Sequence, residues 1–150
     1  MLFKTHLVFA FFVGLLGIMF IHPANQILFM ALVLFGGALP DIDHPKSKIG
    51  RFARPINFLF EHRGFFHSFL MIPVLGAFIL LVLGLPQYAI PKLLGYASHL
   101  VTDMATVEGI MPLHPLSRFR IKGFMKTGGP LEMIFFVVMI FASGYVLVNM

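Results

Sequence analysis

Two carboxylates and an imidazole stand within four positions at Asp41-Ile42-Asp43-His44. Pro40 and Pro45 bracket them, and an uncharged run from Ile27 to Leu39 precedes them. Ionisable groups are costly where a membrane span meets its interface, so they usually come paired, metal-bound or functional. The two prolines stiffen the backbone and restrict where the donors point. Oxygen and nitrogen donors on a rigid turn make half of a divalent-metal site. The other half is offered further along. Glu61-His62-Arg63-Gly64-Phe65-Phe66-His67-Ser68 carries two histidines five apart around a glycine that permits a bend. The stretch from Gly95 to Asp103 sets His99 and Asp103 at i, i+4 on one helical face. An imidazole and a carboxylate so placed can ligate one ion or serve the two ions of a paired site. Thr102 and Thr106 flank this pair and can hydrogen-bond to the ligands.

The composition says where such a site would lie. The chain has 150 residues, the length of one domain. Its 59% hydrophobic and 11% charged content place it among membrane proteins. The mean hydropathy of +0.93 agrees. Cysteine is absent, which removes disulfides, thiolate metal ligands and a cysteine nucleophile together. The formal charge of +5 is read as attraction to an anionic leaflet rather than to nucleic acid. The expected partner is membrane lipid.

Five helices are expected, making an all-α membrane domain over residues 1–150. They fall at 5–21, 25–39, 66–85 with a kink at Pro73, 88–106 with Pro91 near its start, and 131–149. A signal peptide is the rival reading of the first, but no small-x-small cleavage pattern follows it. Residues 41–65 mix basic and apolar side chains as an interfacial amphipathic segment does. Residues 107–129 are polar, with a short strand or hairpin at 119–123. With five crossings, ten of the eleven Lys and Arg fall on one side and only Lys92 on the other. The positive-inside rule makes that side cytoplasmic, with the N-terminus in and the C-terminus out. The same topology brings His6, Asp41, Asp43, His62, His67, His99 and Asp103 to that face, whereas His22 lies opposite and His114 sits in a loop.

Three stretches carry a resemblance: Leu39-Pro-Asp-Ile-Asp-His-Pro-Lys-Ser47, His62-Arg-Gly-Phe-Phe-His-Ser68 and Gly95-Tyr-Ala-Ser-His-Leu-Val-Thr-Asp103. Together they resemble the signatures of the membrane-bound, metal-dependent hydrolases also described as LexA-regulated inner-membrane proteins. The similarity runs from His6 to about Glu132. It implies metal ligands at His6, Asp41, Asp43, His44, His62, His67, His99 and Asp103. The chain departs from the pattern at Phe66, where the family usually has Thr. It departs again at Gly128-Gly129-Pro130-Leu131-Glu132, where the family tends to have Gly-Asn-x-x-Glu, so Glu132 is not carried over. A looser similarity of order alone, through His6, Asp41, His67, His99 and Asp103, is to zinc-dependent phospholipase C and hints at phosphoester chemistry.

Each feature has a plainer reading by itself. Asp41 and Asp43 can cap the second helix, His62 and Arg63 can snorkel at the interface, and His99 with Asp103 can be a satisfied buried pair. Their gathering on one face favours a metal site. The expectation is therefore an inner-membrane hydrolase with one or two divalent ions, Zn²⁺ foremost and Mn²⁺ or Fe²⁺ next. Its substrate would be a phosphoester or lipid-like molecule at the cytoplasmic face. Asp43 and His62 would serve as acid–base groups and Arg63 would hold a phosphate. Two other classes fit similar donors: a divalent-metal transporter, and a non-catalytic membrane protein stabilised by metal.

Overall fold

The computed structural model describes residues 1–43, 64–82, 84 and 86–150, and of Ile42 and Asp43 the backbone alone. Among them five helices carry the fold: α1 (Phe3–Ile21), α2 (Gln26–Ala38), α3 (Met71–Ala77), α4 (Ala89–Met104) and α5 (Pro130–Val148). α1 and α5 have 19 residues each and are long and apolar enough to cross a membrane. At the helical rise each covers about 29 Å, close to the hydrocarbon thickness of about 30 Å.

The joints between helices have local causes. His22, in the left-handed region at φ 48°, ends α1. Asn25 then starts α2 by accepting a hydrogen bond from the Leu28 N–H at 2.9 Å, a standard N-cap. α2 stops at Ala38 because Pro40 cannot continue the backbone ladder, and the chain tightens into a 3-10 turn over Leu39–Asp43. Helix and turn together rise about 30 Å, which carries Asp41 to the far end of the bundle.

α1, α2 and α4 form the centre. α2 and α4 run in backbone contact: a Cβ on Gly36 would strike the Lys92 carbonyl, and one on Gly95 would strike the Val33 carbonyl. Gly37 meets Ala10 of α1 in the same way. Between apolar helices in lipid there is little hydrophobic drive to associate, and small residues permit the close packing that holds them. Ala10, Ile18, Phe29 and Val33 fill this core. Nearer the opposite end of α4, Tyr96, Leu100 and Ile110 form a second cluster against Phe69, Ile72 and Leu75. α5 packs chiefly on α1. It turns Met133, Ile134, Val137, Val138 and Phe141 outward, as a lipid-facing helix does.

Three expectations are corrected. The third helix begins at Met71, not at residue 66, because Phe65–His67 is a separate 3-10 turn and Ser68 is extended. Pro73 does not kink it. As the third helical residue it occupies the first turn, where its missing N–H has no intrahelical partner to lose. The irregularity comes later, as a π-helical turn over Phe78–Val82. Finally, residues 119–123 do not form a hairpin of their own. Ile121 bridges Ile110, and Met125 bridges Thr106, so the polar stretch folds back over the end of α4. The interfacial segment expected at 41–65 lies outside the described residues except at its ends.

Candidate metal centre

The helix ends that alternate along the bundle bring their histidines and carboxylates to a single place. α1 contributes His6, one turn from its start, and the turn after α2 contributes Asp41. The 3-10 turn before α3 contributes His67. That turn is pinned on two sides: Tyr96 donates its hydroxyl to the Phe66 carbonyl, and Ser68 Oγ and Phe69 N both donate to the Pro112 carbonyl at 2.9 Å. α4 contributes His99 and Asp103. His6, His67, His99 and Asp103 are at most 2% exposed, at a depth where unpartnered polar atoms are costly.

The hydrogen bonds fix which ring nitrogens face inward. Thr102 Oγ1 donates its one proton to the carbonyls of His99 (2.8 Å) and Ser98 (3.2 Å). When that proton lies on the His99 carbonyl, Oγ1 accepts from His6 Nδ1, 2.7 Å away, and the His6 proton is on Nδ1. His99 Nδ1 lies 2.7 Å from the Gly37 carbonyl, which only accepts, so the His99 proton is also on Nδ1. In both neutral rings Nε2 is then a lone pair. His6 Nε2 is 3.4 Å from Asp103 Oδ1. His99 Nε2 is 3.7 Å from Asp103 Oδ2 and 3.9 Å from Asp41 Oδ1, and it has no hydrogen-bond partner among the described residues. His67 Nε2 stands 3.5 Å from Asp103 Oδ2.

Lone pairs pointed at carboxylate oxygens repel unless a cation lies between them. The Met1 amino group supplies such a charge to Asp103 Oδ1 at 2.7 Å, while the other carboxylate oxygens face Nε2 of His67 and His99. The His6 and His99 rings stack at 3.7 Å and 4°. The spacing suits a metal. Ligands about 2.0–2.1 Å from a tetrahedral ion stand about 3.3 Å from one another. Two overlapping groups come near this spacing, His6 with His99 and Asp103, and Asp41 with His67 and His99, with the ligand atoms of each within 4.8 Å of one another. The cluster can hold a metal ion.

A third carboxylate lies beside the centre. Glu132, 1% exposed in the first turn of α5, accepts from Leu2 N (2.7 Å), Thr5 Oγ1 (2.6 Å) and Gly128 N (2.6 Å). It thus closes the N-terminus of its own helix and that of α1 at once, next to His6. Its signal in the sequence was a lone acid after Gly-Gly-Pro at a helix start, which reads equally as an ordinary first-turn residue. Met1 places its amino group 2.7 Å from Asp103 Oδ1.

Of the residues expected from sequence, His6, Asp41, His67, His99 and Asp103 are brought together. His44, His62, Arg63 and the side chain of Asp43 lie outside the described residues. Thr102 bonds to the His6 ring of another helix as well as to the His99 backbone carbonyl, and Thr106 caps α4 by donating to the Asp103 carbonyl at 2.7 Å. His22 ends α1 away from His6, and Lys92 lies over the Tyr88 ring.

Comparison with known proteins gives a family. The profile described as YdjM inner membrane protein matches residues 1–149. The chain is 34% identical over 128 residues to uncharacterized protein YvsG of Bacillus subtilis (strain 168), covering 81% of this chain and 79% of that one. It is 43% identical over 93 residues to inner membrane protein YdjM of Escherichia coli (strain K12) and of Shigella flexneri. Those alignments cover 55% of this chain and 47% of each relative, so it spans about half the length of the two YdjM proteins. No solved structure matches.

Proposed function

We propose that this chain, which belongs to the YdjM inner membrane protein family, is a metal-dependent hydrolase acting at the membrane surface on a phosphoester. The observation that carries the reading is the inward aim of the His6 and His99 Nε2 lone pairs at the carboxylates of Asp103 and Asp41. His6, His67, His99 and Asp103 would hold the ion, with Asp41 at its edge. When bound, a divalent ion in such a site lowers the pKa of a water and polarises the scissile group. One ion or two is a question about Asp103. A single Nε2 serves one ion only, so His99 cannot bridge. Asp103 would be the residue able to do so, since Oδ1 faces His6, beside the Met1 amino group, while Oδ2 faces His67 and His99. A set of only nitrogen and oxygen donors suits Zn²⁺, Mn²⁺ or Fe²⁺.

The protein's own part is to orient and dehydrate. Thr102 and the Gly37 carbonyl hold the two imidazoles in one tautomer each, and the packing of α2 on α4 shields the carboxylates from water. Asp43 and His62 remain the acid–base candidates and Arg63 the phosphate-binding one, from their places in the motifs. The charge distribution supports a cytoplasmic position for the basic side and for the centre with it.

A second reading, a structural ion in a non-catalytic protein, is favoured by the near-complete burial of the cluster. The two separate by assay. Purified protein loaded with Zn²⁺ or Mn²⁺ is offered dialkyl and monoalkyl phosphoesters in nanodiscs, and product is followed by mass spectrometry. Turnover that chelation removes and metal restores supports the hydrolase. Stoichiometric metal, with unfolding on chelation and no turnover of any phosphoester, supports the structural ion.

A further inference from the structure

Beside the cluster lies a cavity of about 480 Å³ lined by Leu39, Phe66, Met71, Leu75, Phe78 and Tyr96, with Val74 at its rim. None of its exposed lining is polar, and its volume is within the range of ligand pockets, roughly 300–1,000 Å³. Its walls come from the segments that carry the metal candidates. Leu39 is two residues before Asp41, Phe66 directly precedes His67, and Tyr96 is one helical turn before His99. The Tyr96 hydroxyl is turned away to the Phe66 carbonyl, so the ring presents carbon to the cavity. On the outer side Val74 and Phe78 are 49% and 51% exposed, on a helix whose neighbours Leu81 and Val82 also face outward. In an inner-membrane protein that rim meets lipid.

We infer that this cavity is an acyl-chain site: it takes one hydrocarbon chain of a phosphate-bearing lipid while the headgroup lies at the metal cluster. The inference rests on the hydrolase reading for the headgroup and on the cavity alone for the chain. An apolar space that adjoins a cluster of buried donors suits a molecule with one polar and one hydrocarbon end. The π-helical turn over Phe78–Val82 bounds it at the end away from the cluster. Free phosphate or a soluble phosphoester would leave this space without an occupant of matching chemistry.

The test uses full-length protein in nanodiscs and a hexadecylphosphonate carrying a diazirine at mid-chain, a headgroup that hydrolysis cannot remove. After irradiation the labelled residues are mapped by peptide mass spectrometry. The expected result is label concentrated between Met71 and Phe78 and at Tyr96. Label on the outward face of α5, from Met133 to Phe141, should be at least fivefold lower. Val74→Phe narrows the rim at a half-exposed position without disturbing the core, and Leu75→Phe fills the interior. Each should cut the α3 label severalfold with bound metal unchanged. Equal labelling of α3 and α5, unaltered by Val74→Phe, overturns the acyl site whatever the metal content. Concentrated labelling in a chain that binds no metal supports the acyl site and removes the hydrolase reading alone.

Discussion

At the scale of single residues, two hydrogen bonds organise the centre. The Thr102 hydroxyl and the Gly37 carbonyl bond Nδ1 of His6 and of His99, leaving Nε2 of each aimed at Asp103 or Asp41. Partners of this kind typically govern metal affinity by about ten- to a hundredfold. Thr102→Val keeps the side chain's shape and removes the acceptor. It should weaken Zn²⁺ binding by about that factor, read by competition with a chelator of known affinity, while helicity in detergent stays unchanged. Unaltered affinity would mean that His6 does not depend on Thr102. Which residues carry donors was legible in the sequence, since Asp41, His67, His99 and Asp103 announce themselves by type. The tautomers were not. They depend on contacts between positions 96 and 62 residues apart, Thr102 with His6 and Gly37 with His99, which no local spacing encodes.

Among the helices, the number and order of apolar segments were readable because each is an apolar run with at most two charged residues, closed by Pro, Gly or a polar cap. Their ends were less so. Phe65 to Leu70 looks like helix in composition, yet it forms a 3-10 turn followed by an extended Ser68, pinned by the Ser68 and Phe69 bonds to Pro112. Pro73 resembles a mid-helix kink only if the helix is assumed to begin at residue 66. The coupling of α5 to α1 through Glu132 was hidden for a similar reason: its partners Leu2 and Thr5 are distant in the chain. Glu132→Gln puts an amide donor where at least one of the three N–H and O–H groups now finds an acceptor. It should cost about 1–3 kcal/mol of unfolding free energy. It should also weaken metal binding, because His6 follows Thr5 on the same helical turn. Equilibrium unfolding with and without Zn²⁺ measures both, and a stability loss identical in the two conditions would separate Glu132 from the centre.

For the molecule as a whole, the account joins a bundle in an inner-membrane family to a buried centre at one of its ends. The topology proposed from charge follows the positive-inside rule and is open to a direct check, since the chain has no cysteine to mask a probe. Ala24→Cys lies in the exposed turn between α1 and α2, and Leu116→Cys in the exposed loop after α4. A membrane-impermeant maleimide applied to spheroplasts should label the first at once and the second only after permeabilisation. The reverse pattern would put the centre on the outer face. Charge patterning proposes this side from sequence because ten basic residues outvote one.

The most direct measurement of the central claim is metal content per chain in detergent-purified protein, by elemental mass spectrometry, for wild type, His99→Ala and Asp103→Asn. The account predicts one or two divalent ions per wild-type chain and loss of at least one in each variant, with helical content retained. A wild-type chain that stays metal-free after incubation with Zn²⁺ and with Mn²⁺ would contradict it.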